Sequence, residues 1–130
     1  MSCIKGIRIT KQMVKLFGDA VSDHNPLHFD EQYASTTQFK RPIVHGALLG
    51  GLVSGMFVEH YGVGTIYVST SLQFLRPVHV DSQVTIVLNT EPRHEEDRFT
   101  KVRIAIMNED GYVAVSGIAQ LITGNKEIQQ

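Results

Sequence analysis

The sequence predicts a single α+β domain in which a long central apolar helix is wrapped by a curved antiparallel β-sheet. Apolar residues early in the chain follow helical spacing, whereas from Thr65 onward they alternate with a period of two. Residues 43–58 contain no Asp, Glu, Lys or Arg, and a helix apolar on nearly every side is usually covered by other structure. Helical elements followed by a run of strands are typical of the α+β class.

A chain of 130 residues fits one domain, and we assign residues 1–130 to it. Within this domain we expect a loop at about 22–28, the central helix at about 45–60 and strands over about 65–123. The polar residues 125–130 are expected to form a tail. The sequence contains no internal repeat or linker, so a second domain is not expected.

The first predicted elements are a strand and a helix. Apolar residues alternate from Cys3 to Ile9, which is the pattern of a short edge strand. Thr10 is a favourable N-cap for a helix from Lys11 to about Ala20, where the apolar residues have helical spacing.

A loop and a short helix follow. Pro26 lacks an N–H and disfavours helix for the residue before it, so the helical pattern ends in a loop. Asp30 is a favourable N-cap for a short helix from Glu31 to about Ser35. The pair Arg41-Pro42 marks another break, and the central helix follows it.

Four strands are predicted in the second half of the chain. Apolar residues alternate in segments near 66–74, 84–88, 102–106 and 113–121. The sequence Asn108-Glu109-Asp110-Gly111 predicts a hairpin between the last two, because Asp-Gly supplies the positive φ values of a tight turn. We also expect a bulge in the last strand near Gly117.

Composition excludes several classes of function. The formal net charge is −1 and the basic residues are scattered, so a nucleic-acid-binding surface is not expected. Residues 43–58 are too few and too rich in glycine for a membrane span. Cys3 is the single cysteine, so no disulfide is possible within the chain. A free thiol and the absence of a signal-peptide pattern favour a cytoplasmic protein.

The stretch Asp23-His24-Asn25-Pro26-Leu27-His28 is the strongest functional signal. It places Asp23 and His28 close enough in sequence to converge around Pro26. A carboxylate can take a proton from water, and a neighbouring imidazole can orient that water or relay the proton near neutral pH. A purely structural turn is an alternative, since Asp, Asn and Pro are common in turns. A metal site is another, but no regular ligand spacing supports it.

The second signal is Arg41-Pro42-Ile43-Val44-His45-Gly46, directly before the apolar helix. If the helix starts here, its first N–H groups lack intrahelical partners and point to whatever lies before it. A thioester oxygen placed there would be stabilised as it gains enolate character, and Gly46 has no side chain to block it. The alternative is that Gly46 only permits close packing against the sheet.

These residues resemble the MaoC-like group of (R)-specific enoyl-CoA hydratases. The resemblance rests on the Asp23–His28 and Arg41–Gly46 stretches and the small-residue helix after them, and it extends from about Phe17 to the last strand. It implies a hotdog fold, a long central helix wrapped by an antiparallel sheet, and a homodimer. Many members have Gly-Asp where this chain has Ser22-Asp23, which affects the turn and leaves the acid in place.

The resemblance also implies residue roles. Asp23 and His28 would hold and activate the water that attacks C3, and the Gly46 N–H would polarise the thioester carbonyl. Asn25 would brace the catalytic loop. Ser54 occupies a position where the family often has a small polar residue near the catalytic aspartate, although a helix serine that bonds its own backbone is an equal alternative.

The expected reaction is reversible hydration of trans-2-enoyl-CoA to the (R)-3-hydroxyacyl-CoA, without a metal or other cofactor. A dehydratase acting on acyl carrier protein is the nearest alternative. A hotdog thioesterase would need a carboxylate on the central helix, which has none before Glu59. A non-catalytic acyl-binding module is a further alternative, which the presence of both Asp23 and His28 opposes. Lys40 and Arg41 are possible phosphate contacts or solvated surface charges.

The remaining histidines are not expected to take part in the reaction. His24 occupies the unspecified position of the first motif and is expected to be a loop residue. His45 precedes Gly46 and is expected to support the start of the helix. His60, His79 and His94 fall at a predicted helix end and in loops.

Overall fold

The structure is a computed structural model that describes residues 2–124. The predicted tail at 125–130 lies outside these residues. In chain order the elements are β1 (Ser2–Ile9), α1 (Lys11–Val21), a 3₁₀ turn (Pro26–His28), α2 (Glu31–Ser35), α3 (Gly46–Tyr61), β2 (Ile66–Phe74), β3 (Ser82–Thr90), β4 (Thr100–Met107) and β5 (Val113–Ile122). The predicted N-caps of α1 and α2 both form, since Thr10 accepts from Met13 and Asp30 accepts from Tyr33.

The strands form one five-stranded sheet in the order β1-β3-β4-β5-β2, and every neighbouring pair is antiparallel. β1 and β2 are its two edges, and α3 packs on its concave face. The predicted α+β hotdog architecture is confirmed. Among residues 2–124, no helix is long and apolar enough to cross a bilayer.

The alternating residues of the central strands form the core with α3. In β3 and β4 the inward side chains are buried to 2% exposure or less: Val84, Ile86, Leu88, Val102, Ile104 and Ile106. Val53, Met56 and Phe57 of α3 are equally buried against them. Each fully buried side chain of this size contributes about 1.5–3 kcal/mol to folding, so the sheet fixes the position of α3 and of its first turn.

The opposite side of α3 is exposed in a single chain. Gly51, Gly55 and Val58 face outward, and a Cβ added at either glycine would meet nothing within 4 Å. Within a single chain these two glycines make no close approach. Gly46 and Gly50 do, because an added Cβ would come within 2.7 Å of Phe74 and 3.3 Å of Leu72.

The bulge expected in β5 near Gly117 lies at Ala114, which is skipped between the pairs Ile106–Val115 and Met107–Val113. A second register shift skips Val68 of β2, between Tyr67 and Ser69. Gly117 stays in register, and an added Cβ would lie 2.1 Å from the Ser71 carbonyl oxygen. Glycine is needed there because two strand backbones approach closely.

Candidate active site

The loop that carries Asp23 is held by backbone bonds to the end of α1. Ser22 has left-handed φ and ψ of 60° and 36°, and the Asp23 N–H then donates to the Gly18 carbonyl over 2.9 Å. An added Cβ at Gly18 would lie 2.9 Å from the Asp23 carbonyl oxygen, so the loop packs directly on this glycine. Asn25 caps the 3₁₀ turn, because its Oδ1 accepts from the Leu27 N–H over 3.1 Å.

His28 is fixed by the segment that leads into α3. Its Nδ1 lies 2.7 Å from the Ile43 carbonyl oxygen, and the Ile43 N–H donates to the Leu27 carbonyl over 3.2 Å. Since a carbonyl can only accept, the neutral imidazole is protonated on Nδ1 and carries its lone pair on Nε2. His28 Nε2 is thus available to accept a hydrogen bond from water.

The two predicted catalytic side chains lie together. One side-chain atom from each of Asp23, His28 and His45 lies within 4.8 Å of the other two. A water molecule with two hydrogen bonds of about 2.8 Å can bridge polar atoms about 4.5 Å apart, so Asp23 and His28 are placed to share one. Asp23 is exposed, and half-buried His28 lines a groove of about 1340 Å³.

The same three residues could be considered as a metal site. The rings of His28 and His45 are stacked, with centroids 3.8 Å apart and planes 28° apart. The lone pair of an imidazole nitrogen lies in the plane of its ring, so two nearly parallel rings direct their lone pairs side by side. A metal ion with tetrahedral coordination needs lone pairs that converge on one point. The arrangement favours proton transfer over metal binding.

Gly46 begins α3, and its environment has two features. No side chain caps the helix, and within residues 2–124 neither Gly46 N–H nor Ala47 N–H has a hydrogen-bond acceptor. Two donors at the positive end of a 16-residue helix therefore remain available to a ligand. An added Cβ at Gly46 would lie 2.7 Å from a ring carbon of Phe74, so close packing also requires glycine here.

His45 has contacts that the sequence analysis did not foresee. Its side chain makes no capping bond to α3. It is 2% exposed, its Nε2–H donates to the Asp23 carbonyl oxygen over 3.3 Å, and its ring stacks on His28. Burial lowers the pKa of His45, so the imidazole is neutral near pH 7. One feature of the sequence could have indicated these contacts: His45 is the single imidazole in an otherwise apolar segment, and it precedes the glycine predicted to bind the oxyanion.

The structure also places two other residues from the sequence analysis. Ser54 lies eight residues beyond Gly46 in the half-buried part of α3, which is about 12 Å along the helix axis. In the part of the chain that the structure describes, no hydrogen bond joins Ser54 to Asp23. His24 is confirmed as a loop residue, because its Nε2 contacts the Asp19 carboxylate at 3.0 Å.

Comparison with known proteins gives a consistent result. A family model described as the MaoC like domain matches residues 2–109. An (R)-specific enoyl-CoA hydratase from Aeromonas caviae is 39% identical over 107 residues, which are 82% of this chain and 80% of that protein. The solved structure of an (R)-hydratase from A. caviae involved in PHA biosynthesis superposes with a TM-score of 0.91 at 34% identity and covers 95% of each chain.

A more distant relative carries a different name. A mitochondrial 3-hydroxyacyl-acyl-carrier-protein dehydratase from Arabidopsis thaliana is 28% identical over 120 residues, which are 90% of this chain and 72% of that protein. With the family model covering most of the chain, this protein belongs to the MaoC-like family.

Proposed function

We propose that this chain catalyses the reversible hydration of trans-2-enoyl-CoA to (R)-3-hydroxyacyl-CoA. The observation that carries the proposal is the convergence of Asp23 and His28 to within 4.8 Å on a braced loop. The open N-terminus of α3 at Gly46 adds a second part of the required chemistry. Family membership and the A. caviae hydratase support the choice of reaction.

In the proposed mechanism, Asp23 and His28 Nε2 accept hydrogen bonds from one water molecule. The water oxygen forms a bond to C3 as its proton passes to the pair, and the π electrons move toward the thioester carbonyl. The Gly46 N–H donates to the developing enolate oxygen, and C2 then takes the proton back from the pair. General acid–base help is worth about 10²–10⁴-fold, and one oxyanion donor about 10²–10³-fold.

No metal or redox cofactor is part of this proposal. The thioester itself makes C3 electrophilic and C2 protonatable, and the stacked rings of His28 and His45 disfavour a shared ion. Coenzyme A, or acyl carrier protein, enters as part of the substrate. Asn25 acts by holding the loop through its bond to Leu27. Ser54 is retained as a supporting residue, on the resemblance alone.

Dehydration of a (R)-3-hydroxyacyl group on acyl carrier protein is the second candidate. The A. thaliana relative favours it, and the reaction is the reverse of the first. In the groove beside His28, Lys40 and Arg41 form no ion pair within residues 2–124, so both cations are available to phosphates of either carrier. The ratio of kcat/KM for a crotonyl group on the two carriers decides between them.

We also propose that the protein works as a cytoplasmic homodimer. Within the described chain β2 pairs only with β5, so its other edge is open. Ile66, Val68 and Phe74 on this strand are exposed at 40–55%, and an unpaired apolar edge favours pairing with a second copy. Sedimentation analysis tests the dimer, and a monomer at micromolar concentration would contradict it.

The cytoplasmic location rests on the single free cysteine, Cys3, which suits a reducing compartment.

The reaction is tested with crotonyl-CoA. We expect the absorbance of the conjugated enoyl thioester to decay and the product to be (R)-3-hydroxybutyryl-CoA. Binding without turnover on either carrier would instead support a non-catalytic acyl-binding module. Hydrolysis to free coenzyme A would support a thioesterase.

A further inference from the structure

His45 touches both proposed catalytic residues at once. Its ring lies on the face of the His28 ring, and its Nε2–H reaches the backbone carbonyl of Asp23. The rest of its surroundings are aromatic, with Phe17 at 5.0 Å and Phe29 at 5.5 Å between ring centroids. His45 is therefore the side chain through which the Asp23 loop and the His28 ring are coupled.

Packing alone does not account for a histidine at this position. Its Nε2–H is used by the Asp23 carbonyl, so Nδ1 carries the lone pair. Within residues 2–124 this nitrogen is buried and has no hydrogen-bond partner. A buried polar atom left unpaired costs about 1–3 kcal/mol. A phenylalanine would fill the same aromatic surroundings without that cost, so the hydrogen bond to Asp23 must matter for something other than packing.

The two contacts constrain different degrees of freedom. The hydrogen bond fixes the backbone of Asp23, whose N–H also donates to the Gly18 carbonyl and whose exposed carboxylate has a long contact of 3.4 Å with the Asn25 N–H. The stack fixes the tilt of the His28 ring about its bond to the Ile43 carbonyl. Two groups that share one water molecule must keep their spacing, and displacement by about 1 Å can reduce a rate about 10²-fold.

We propose that His45 is a positioning residue that holds Asp23 and His28 at the separation needed to share a water molecule. In this proposal it acts through its stack on His28 and its bond to Asp23. This inference rests on the proposed hydration reaction. The Asn25 backbone also bonds both residues, through its N–H to the Asp23 carboxylate over 3.4 Å and its carbonyl to the His28 N–H over 3.0 Å, whereas His45 contacts the His28 ring itself.

Two substitutions separate the contacts. His45→Phe keeps an aromatic ring on His28 and removes the donor to Asp23. His45→Gln keeps an amide donor that can reach the Asp23 carbonyl and removes the ring. We expect each to lower kcat for crotonyl-CoA by about 10–100-fold, the usual effect of losing a group that orients a catalytic one. KM should change little, so that kcat and kcat/KM fall together.

His79→Gln is the matched control. His79 is half-buried and also bonds a backbone carbonyl, from Nε2 to Phe39 over 3.1 Å, but in the described part of the chain no hydrogen bond or ring contact joins it to Asp23 or His28. It should retain wild-type turnover. A spectroscopic readout accompanies the kinetics: the ring protons of His28 should shift downfield in His45→Gln, where the stacked ring is lost, and much less in His45→Phe.

The outcomes are distinct. A folded His45→Phe or His45→Gln protein with wild-type kcat overturns the proposal, and so does a kcat loss no larger than that of His79→Gln. If neither variant folds, His45 is a structural residue and the proposal is rejected. If the wild-type protein does not hydrate crotonyl-CoA, the proposed function fails, while the His28 proton shifts still report whether His45 orients that ring.

Discussion

Asp23 and His28 are held in different ways, and the difference fits their proposed roles. The Nδ1 of His28 is occupied by the Ile43 carbonyl at 2.7 Å, which leaves one nitrogen to face water. Among residues 2–124, the Asp23 carboxylate accepts one long hydrogen bond, of 3.4 Å from the Asn25 N–H. A carboxylate with so few donors keeps its oxygens available for a water molecule, as a general base requires.

The first residue-level prediction concerns this carboxylate. Asp23→Asn keeps the size of the side chain and removes its ability to take a proton, so hydration of crotonyl-CoA should fall about 10²–10⁴-fold. The exposed position of Asp23 means that the fold should not change, which circular dichroism and thermal unfolding check. Asp19→Asn is the control, because Asp19 lies on α1 and pairs with Lys15 of the same helix and with His24 of the loop. Full activity in folded Asp23→Asn would remove Asp23 from the mechanism.

The second residue-level prediction concerns how the free energy of unfolding depends on pH. Burial lowers the pKa of His45 below the value of about 6.5 in the unfolded chain, while Asp23 and His28 are the titratable groups that face it. Between the two values the unfolded chain binds more protons, so the free energy of unfolding rises with pH there. The free energy of unfolding should be greatest above about pH 6.5. It should decline as the pH falls from there to the lower pKa that His45 has in the folded protein.

Urea denaturation over a pH series measures this dependence, with His45→Phe as the reference. The slope attributable to His45 should disappear in the variant, while the contributions of the exposed histidines remain. Equal slopes in the two proteins would show that His45 is not held neutral by burial.

At the scale of elements, the turn from α1 into the catalytic loop contains Ser22-Asp23, where the family resemblance led us to expect Gly-Asp in many members. Ser22 adopts φ 60°, a left-handed conformation in which glycine is the usual residue at a helix C-terminus. A side chain in this region costs about 1–2 kcal/mol, of which the greater flexibility of unfolded glycine offsets about 0.5–1 kcal/mol. The sequence placed Ser22 at the start of the loop but did not give its backbone angle.

Ser22→Gly should therefore increase the free energy of unfolding by about 0.5–1 kcal/mol. Ser22→Ala keeps the strain and serves as the control, so it should bring no gain. Chemical denaturation of the three proteins measures the differences. A Ser22→Gly protein less stable than the wild type would show that the Ser22 hydroxyl contributes more than the strain removes.

Elements with strong local signals were predictable. The caps at Thr10 and Asp30 and the turn at Asn108–Gly111, where Gly111 has φ 86°, follow from local backbone chemistry alone. The surroundings of two other glycines were not predictable, because Gly117 is set by the approach of the Ser71 carbonyl and Gly51 faces outward. Contacts between segments that are distant in sequence decide such positions, and these contacts cannot be read from one sequence alone.

On the scale of the whole molecule, the sheet brings two chain segments together to make the site. α3 is buried against β3 and β4, and the segment before it bonds back to the loop through Ile43 and Leu27. Asp23 and His28 were predictable because a short turn brings them together locally. The role of His45 was not, since its contact with Asp23 spans 22 residues and depends on how α3 is docked.

The central claim is that Asp23 and His28 act on one water molecule, and a double-mutant cycle on crotonyl-CoA hydration tests it most directly. Asp23→Asn, His28→Ala and the double variant are compared with the wild type, all confirmed as folded. Residues that act as a unit are strongly non-additive, so the double variant should be little slower than the slower single variant. Rate losses that multiply in the double variant, or a folded His28→Ala with wild-type kcat, would contradict a shared water.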